Sequence, residues 1–265
     1  MIDLWPALHT AAVVVGPEGV RAERGDGDRR FPLASVTKPL VAYAVLVAVE
    51  EGSLGLDDDA GPPGSTVRHL LAHASGLDVD RPEPVAPPAT RRIYSNAGFE
   101  VLGEALRAAT GIAVADYLEE AVFRPLGMEL TSLDGSPAHG AVGSAPDLGR
   151  FVGELLRPTL VHASTVEAMR SVAFPGLAGV LPGYGHMAPN DWGLGVERRS
   201  RKQPHWTGRA NSPETFGHFG RTGTFLWVDP VADLALVALA DRDFGPWAVD
   251  AWPRLADAVL GDPGD

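Results

Sequence analysis

A serine and a lysine three positions apart are the first residues that could do chemistry. Ser35 and Lys38 lie in the segment Phe31-Pro-Leu-Ala-Ser-Val-Thr-Lys-Pro-Leu40, at the start of an apolar run over 39–49. That run is too short to span a bilayer, which takes about 20 apolar residues, and it predicts a buried helix. Pro39 is tolerated only near a helix start, so the helix should begin close to Ser35. Residues three apart share a helix face, which brings the Lys38 amine beside the Ser35 hydroxyl.

This pair suits a serine nucleophile. A hydroxyl needs a base to become nucleophilic, and a desolvated lysine can act as that base. The start of the helix adds backbone N–H groups and the positive end of its dipole at the same place. The alternative is that Ser35 only caps the helix, and the tetrapeptide Ser-x-x-Lys by itself does not decide between the two.

Two later segments offer polar groups that could complete such a site. Tyr94-Ser-Asn96 contains a tyrosine that can act as a general base if a nearby lysine favours the phenolate, and an asparagine that can orient a substrate. His218-Phe-Gly220 opens a strand whose glycine would let a substrate approach backbone N–H groups closely. The structural alternatives are a half-buried aromatic residue before an Asn-capped helix, and a histidine that only packs.

Other clusters of candidate ligands are better explained by structure. The acidic run 57–59 has no second ligand cluster beside it and reads as a solvated turn. His69 and His73 are four residues apart on a predicted helix over 66–76, but neither a His-Glu-x-x-His motif nor a third ligand accompanies them. We therefore interpret both as packing histidines and predict no metal site.

The elements that must position these residues alternate in type along the chain. A hairpin is predicted over 11–16 and 20–24, and the last part of the chain predicts three consecutive strands over 216–222, 224–229 and 234–240. Between them, helices are predicted over 35–52, 66–76, 97–110, 114–123, 147–156 and 164–171, and a last helix over 247–260. The segment 192–197 could form a further strand. This order predicts an α+β fold in which an antiparallel sheet, flanked by helices, takes its strands from both chain ends.

Composition excludes several classes of function. The 265 residues are 45% hydrophobic with a net charge of −12 and no basic stripe, so nucleic acid is not expected as a partner. The lack of cysteine excludes disulfides and thiolate metal sites. Residues 1–20 do not form a signal peptide, because Asp3 stands where a basic region belongs and the apolar run is too short. We therefore expect a cytoplasmic chain without a membrane partner.

The three motifs together resemble those of the serine β-lactamase and penicillin-binding-protein superfamily. The form Tyr-x-Asn is similar to the branch of class C β-lactamases, D,D-carboxypeptidases and family VIII esterases. Further stretches look like that branch: Thr66-Val-Arg-His-Leu-Leu-Ala-His-Ala-Ser-Gly-Leu77, Tyr94-Ser-Asn-Ala-Gly-Phe99, Phe123-Arg-Pro-Leu-Gly-Met128 and Gly217-His-Phe-Gly220. The resemblance therefore runs from about residue 31 to the end of the chain.

The resemblance implies a β-lactamase/transpeptidase-like fold in a single domain over 1–265. A sheet lobe would comprise about 1–57 and 172–265, and an inserted helical lobe about 58–171, with the active site between them. No metal or organic cofactor is implied. By motif match, the catalytic residues would be the acylated Ser35 together with Lys38 and Tyr94, which share proton transfer. Substrate would be bound by Asn96, His218, Phe219, Gly220 and Arg221, with the N–H groups of Ser35 and Arg221 as the oxyanion hole.

The third motif departs from the family pattern. It is commonly Lys-Thr-Gly or His-Thr-Gly, whereas Phe219 stands in its middle position here. Phenylalanine offers no donor to a substrate carboxylate, although Arg91, Arg92 or Arg221 could supply a charge. This favours neutral short-chain esters over β-lactams and D,D-peptides, since an unpaired buried carboxylate is costly.

The predicted function is that of a serine hydrolase that forms an acyl-enzyme on a small ester or amide. β-Lactamase or D,D-peptidase activity, acyl transfer to an alcohol or amine, and a catalytically weak binding protein on the same fold remain as alternatives. The predicted partner is a small-molecule ester, amide or β-lactam.

Overall fold

The predicted helices and the predicted strands at the two chain ends occur in the predicted order, and several short strands between them were not predicted. The computed structural model describes residues 1–261. Its strands are β1 (Thr10–Gly16), β2 (Gly19–Gly25), β3 (Phe31–Pro32), β4 (Ser132–Leu133), β5 (Ala141–Gly143), β6 (Gly179–Leu181), β7 (Gly185–Met187), β8 (Glu197–Arg198), β9 (Phe216–Gly220), β10 (Thr224–Asp229) and β11 (Leu234–Ala240). Its helices are α1 (Thr37–Glu50), α2 (Val67–Leu71), α3 (Asn96–Thr110), α4 (Val114–Leu118), α5 (Ala145–Leu156), α6 (Ala163–Arg170) and α7 (Pro246–Gly261).

The main sheet takes its strands from both ends of the chain. Its order is β2-β1-β11-β10-β9-β8, and every neighbouring pair is antiparallel. The strands β9, β10 and β11 are joined directly, whereas the N-terminal hairpin of β1 and β2 is added at the edge of β11. The predicted α+β class and the contribution of both chain ends to one sheet are therefore confirmed.

Strand β11 lies in the interior of the sheet because both of its faces are apolar. All of its residues from Leu234 to Ala240 are buried. Successive side chains of a strand point to opposite faces, so Val237 joins the core on one side and Leu236 the core on the other. A strand that is buried on both faces reads as a continuous apolar run, which is the pattern of this segment.

Helices cover both faces of the sheet. Helices α1 and α5 contribute to the larger core, and α5 packs across β1 and β11. Helix α7 covers the other face, where Trp252 contacts Phe225 with ring centroids 4.9 Å apart. Among residues 1–261, no helix combines the length and the apolar composition that crossing a membrane requires.

Helices α2, α3, α4 and α6 lie within residues 67–170. A small antiparallel sheet, β3-β5-β4, connects this region to the segment before α1, and β6 and β7 form a separate hairpin. A π-helical turn, Glu119–Phe123, continues α4. The division into a sheet lobe and a helical lobe stays a prediction, and α5, which falls inside the predicted helical range, packs against the main sheet.

Two predicted elements differ from the structure for local reasons. The helix predicted over 66–76 ends at Leu71, because the chain turns and His73 adopts a φ of +54°. The strand suggested for 192–197 was wrong except at its end: Gly193 donates to the carbonyl of Val196 in a turn, and Gly195 has a φ of +76°. Only Glu197 and the next residue pair with β9.

Candidate active site

Ser35 stands on a strained turn in front of α1. A 3-10 turn, Ala34–Val36, leads directly into the helix, and Ala34 has a φ of +45°. A left-handed conformation at a residue other than glycine costs of the order of 1–3 kcal/mol and persists only where the surroundings impose it. Two threonines impose it here: Thr222 Oγ1 donates to the carbonyl of Pro32 at 2.6 Å, and Thr224 Oγ1 to that of Leu33 at 2.9 Å.

Gly220 lets the end of β9 approach this turn. A Cβ at Gly220 would lie 2.4 Å from the carbonyl oxygen of Leu33 and 2.5 Å from Thr224 Oγ1, far inside contact distance. Because β9 ends here, Arg221 follows at the mouth of the cleft, close to Ser35. In the loops and caps of residues 1–261, neither the Ser35 nor the Arg221 N–H donates to a backbone carbonyl. Two such N–H groups are what a developing oxyanion requires.

Lys38 is fully buried in the first turn of α1, and its amine contacts three oxygens. Nζ donates to Asn96 Oδ1 at 2.7 Å and to the carbonyl of Ala138 at 2.9 Å, and it lies 3.4 Å from Ser35 Oγ. Burial lowers the Lys38 pKa from 10.5 to about 7, and the carboxylates of Asp80 and Glu100 offset only part of this effect. A neutral amine is therefore present at neutral pH and can accept the serine proton.

Tyr94 completes the group around Ser35. Lys38 Nζ lies 4.7 Å from the centroid of the Tyr94 ring, and the ring also contacts His73 and His218. Burial raises the Tyr94 pKa above its ordinary value of 10, and the Ser35 hydroxyl works against this without cancelling it. The sequence allowed a phenolate base. The environment instead keeps the phenol protonated, so that Tyr94 can donate a proton while Lys38 accepts one.

Asn96 is held between Lys38 and an aspartate that the sequence did not single out. Its Oδ1 accepts from Lys38, and its Nδ2 donates to Asp80 Oδ1 at 2.7 Å. These two contacts fix which end of the amide faces the lysine. Asp80 belongs to the proline-rich loop before Tyr94, and no local pattern marks it, since the contact depends on how the loop folds over α3.

His218 and Phe219 point to opposite faces of β9, and both border the cleft. The His218 ring lies 5.8 Å from that of Tyr94 and 5.4 Å from that of Trp192. Burial lowers the His218 pKa to about 3, so the ring is neutral at neutral pH. Phe219 packs against Phe244, with centroids 5.1 Å apart, on the side where α7 lies.

Of the three arginines proposed as carboxylate partners, only Arg221 lines the cleft. Arg92 is 2% exposed, and its guanidinium donates to four backbone carbonyls of the loops around it. Arg91 is exposed and donates to the carbonyl of Val85. Arg92 therefore has a structural role, and a substrate carboxylate could meet a guanidinium only at Arg221.

A buried ionic cluster behind the cleft was also missed by sequence reasoning. Glu197 Oε1 accepts from Lys202 Nζ at 2.6 Å and lies 2.9 Å from His205 Nε2, and its other oxygen accepts from the Trp206 indole. Burial works to raise the Glu197 pKa, but the contacts with His205 and Lys202 outweigh it and hold the pKa low.

These residues surround one cleft of about 550 Å³. Ser35, Tyr94, Asn96, His218, Phe219 and Arg221 line it, Lys38 lies buried beneath Ser35, and Gly220 separates the turn from β9. His69 and His73 make separate contacts: His69 closes the capping box of α2 with Thr66, and His73 accepts from the Ser95 N–H. Within the described residues, no group of three or more potential ligands is arranged around a metal position.

Known proteins are similar to this chain in sequence and in fold. The family model described as Beta-lactamase matches residues 9–260. A crystal structure of a β-lactamase from Mycobacterium bovis superposes with a TM-score of 0.98 at 57% identity, covering 100% of this chain and 98% of that one. Esterase EstB from Burkholderia gladioli is 34% identical over 148 residues, 38% of this chain and 38% of the esterase. Penicillin-binding protein 4* from Bacillus subtilis is 31% identical over 134 residues, 38% of this chain and 30% of that protein.

The chain spans less than half the length of these curated relatives. The family model, in contrast, runs through nearly the whole chain and includes every residue of the cleft described above. The fold predicted from the motifs agrees with the M. bovis structure over the full chain. The protein therefore belongs to the β-lactamase family, as its motifs predicted.

Proposed function

We propose that this protein is a serine hydrolase that forms an acyl-enzyme at Ser35 on a small ester or amide. The observation that carries the proposal is the state of Lys38. Its amine is buried without a carboxylate in contact, has a pKa near 7 and lies 3.4 Å from Ser35 Oγ. A lysine that only completed an ion pair would be kept protonated by its partner, whereas this one is poised to accept a proton.

In the first step, Ser35 Oγ attacks the carbonyl carbon of the substrate. The hydroxyl proton moves to the neutral Lys38 amine, and the carbonyl oxygen becomes an oxyanion that the N–H groups of Ser35 and Arg221 stabilise. The tetrahedral intermediate collapses when the leaving group takes a proton from the Tyr94 phenol. Lys38 returns its proton to Tyr94, and Ser35 stays acylated until water, activated in the same way, releases the acid.

The walls of the cleft disfavour a substrate that carries a carboxylate. His218 is neutral near pH 7, Phe219 carries no donor, and Arg92 is held by backbone carbonyls. A substrate carboxylate could therefore meet only Arg221, which is exposed and thus a weak partner in water. We propose short-chain esters as the preferred class, with kcat/KM for p-nitrophenyl butyrate at least about tenfold above that for a chromogenic cephalosporin.

Covalent labelling tests the proposal directly. A fluorophosphonate probe should add to the wild type, and mass spectrometry should place the adduct on Ser35. The variant Ser35→Ala should not be labelled and should lose activity by a factor on the order of 10³ or more. An adduct on Ser95 or Ser144, or full activity in Ser35→Ala, contradicts the proposal, and a folded protein that takes no probe supports the binding-protein alternative.

Turnover of β-lactams is the second candidate function. It is favoured by the 57% identity to a protein described as a β-lactamase. Efficient cephalosporin hydrolysis by the wild type, abolished in Ser35→Ala and reduced in Arg221→Gln, would establish it and would assign Arg221 as the carboxylate partner. A location in the cytoplasm and a single domain over the whole chain stay predictions.

A further inference from the structure

The cleft contains two charged side chains that no ion pair neutralises. The carboxylate and guanidinium residues that line it are Asp80, Glu197 and Arg221. Glu197 is committed to Lys202 and His205 in the buried cluster. Asp80 and Arg221 take part in no salt bridge within the described part of the chain, and they are not paired with each other. Among residues 1–261, the cleft therefore has one negative and one positive side chain outside any ion pair.

Asp80 is connected to the nucleophile by three consecutive contacts. Its Oδ1 accepts from Asn96 Nδ2 at 2.7 Å, Asn96 Oδ1 accepts from Lys38 at 2.7 Å, and Lys38 lies 3.4 Å from Ser35 Oγ. Asn96 thus holds one carboxylate oxygen in place. The other, Oδ2, has no hydrogen-bond partner among residues 1–261, and the side chain is exposed to the cleft. The Asp80 carboxylate is therefore held in place by Asn96, and its second oxygen can still bind a group of the substrate.

The position of Asp80 relative to the reacting carbon decides which part of a substrate it meets. The oxyanion is directed to the N–H groups of Ser35 and Arg221, and the leaving group faces the Tyr94 hydroxyl. The remaining substituent of the tetrahedral carbon is the acyl chain. Asn96 and Asp80 are joined by a hydrogen bond and both line the cleft, so the acyl chain can lie against them.

We propose that Asp80 forms a cation subsite of the cleft, which binds a positively charged nitrogen on the acyl part of the substrate. The subsite rests on the proposed acyl-enzyme at Ser35, because it is defined by where the acyl chain goes. It narrows the substrate class from esters and amides without a carboxylate to those whose acyl group carries a positive charge. Arg221, on the β9 side of the cleft, adds to the discrimination because it repels a cation there and leaves the Asp80 side as its only favourable position.

Two esters that differ only in charge test the subsite. p-Nitrophenyl 4-(trimethylammonio)butanoate and p-nitrophenyl 5,5-dimethylhexanoate have the same shape, with a quaternary nitrogen in the first replaced by carbon in the second. We expect kcat/KM of the wild type to be at least about fivefold higher for the cationic ester, the effect of two unit charges about 4 Å apart in a water-like dielectric. The quantity compared is the change of this ratio from the wild type to a variant, in which the intrinsic reactivity of each ester cancels.

The decisive variant is Asp80→Asn, which keeps an oxygen acceptor for Asn96 and removes the charge. The ratio should fall to about one. The matched control is Glu100→Gln, because Glu100 also acts on Lys38 through its charge but does not line the cleft. Its ratio should stay at the wild-type value. A wild-type ratio of one or less, a ratio that Asp80→Asn leaves unchanged, or an equal fall in Glu100→Gln would overturn the subsite.

Failure of the proposed function would give a different result, namely no Ser35-dependent hydrolysis of either ester. The subsite is then tested by binding, with 4-(trimethylammonio)butanamide titrated against the wild type and Asp80→Asn and followed by NMR. Binding at least about fivefold weaker in Asp80→Asn supports the subsite. Equal binding overturns it.

Discussion

Replacing Lys38 by arginine tests the central step of the proposed chemistry. An ordinary lysine with a pKa of 10.5 would be neutral in about one molecule in 3,000 at pH 7, whereas a pKa of about 7 makes about half of the amines neutral. Arginine keeps the positive charge and can still donate to Asn96, but it cannot deprotonate in a protein. We therefore expect Lys38→Arg to lower kcat/KM for p-nitrophenyl butyrate by a factor on the order of 10³, within the range for loss of a general base.

The pH profile of the wild type provides the second part of this test. The base is active when neutral, so kcat/KM should rise with pH through a midpoint near 7 and level off above about pH 8. Lys202→Arg is the matched control, because Lys202 is also buried but contacts Glu197 and not Ser35. This control should keep the wild-type midpoint. Thermal melts of all three proteins separate loss of activity from loss of fold.

Two results would refute the reasoning. One is a kcat/KM that stays constant between pH 6 and 8.5, since this would show that no group with a pKa near 7 controls the reaction. The other is a folded Lys38→Arg variant that keeps more than about a tenth of wild-type activity, because a permanently protonated residue cannot accept the serine proton.

Three further variants test other parts of the site. Tyr94→Phe removes only the hydroxyl and should lower kcat by roughly 10²–10⁴ while the melting temperature barely changes; unchanged kcat with lower stability would favour packing as its role. Gly220→Ala places a Cβ 2.4 Å from the carbonyl oxygen of Leu33, so both the unfolding free energy, by about 1–3 kcal/mol, and the rate of acylation should fall. Lys38→Met should abolish activity. It should also remove the pH dependence of the unfolding free energy that the buried lysine causes. The folded pKa of Lys38 lies below its unfolded value of 10.5, so the wild type is destabilised below about pH 7 and recovers stability as pH rises to 10.5. Between pH 7.5 and 9.5, urea denaturation should show the wild type gaining roughly 2 kcal/mol relative to Lys38→Met, and equal slopes would contradict a buried lysine of low pKa.

The sequence predicts those parts of the site that depend on residues close together in the chain. The position of Pro39 fixes where α1 begins, and the spacing of Ser35 and Lys38 then follows from helix geometry. The glycine at 220 predicts a close backbone approach, which the structure shows against Leu33. The antiparallel strands at the end of the chain are equally local, because short turns join them.

The contacts that the sequence does not predict join segments far apart in the chain. The carbonyl of Ala138 is 100 residues from Lys38, and Glu197 acquires its role only when the loop that carries Lys202 and His205 folds behind the cleft. The left-handed conformation of Ala34 is imposed by threonines on β10 and the turn before it, so no local propensity indicates it. The predicted helix over 66–76 failed for a related reason, since His73 turns out of the helix to pack against Tyr94.

The two lysines of the chain show how a carboxylate partner changes the effect of burial. Burial works to lower the pKa of both, but Lys202 has the Glu197 carboxylate at 2.6 Å, which stabilises its charged form. Lys38 has only the neutral oxygens of Asn96, Ala138 and Ser35 within contact distance, and these cannot replace the hydration that its charge loses. Lys202 therefore forms an ion pair with Glu197, whereas Lys38 provides a neutral amine beside Ser35. It follows that a carboxylate introduced in contact with Lys38 would raise its pKa and inactivate the enzyme while stabilising the fold, whereas Asp80, separated from the amine by Asn96, offsets only part of the effect of burial.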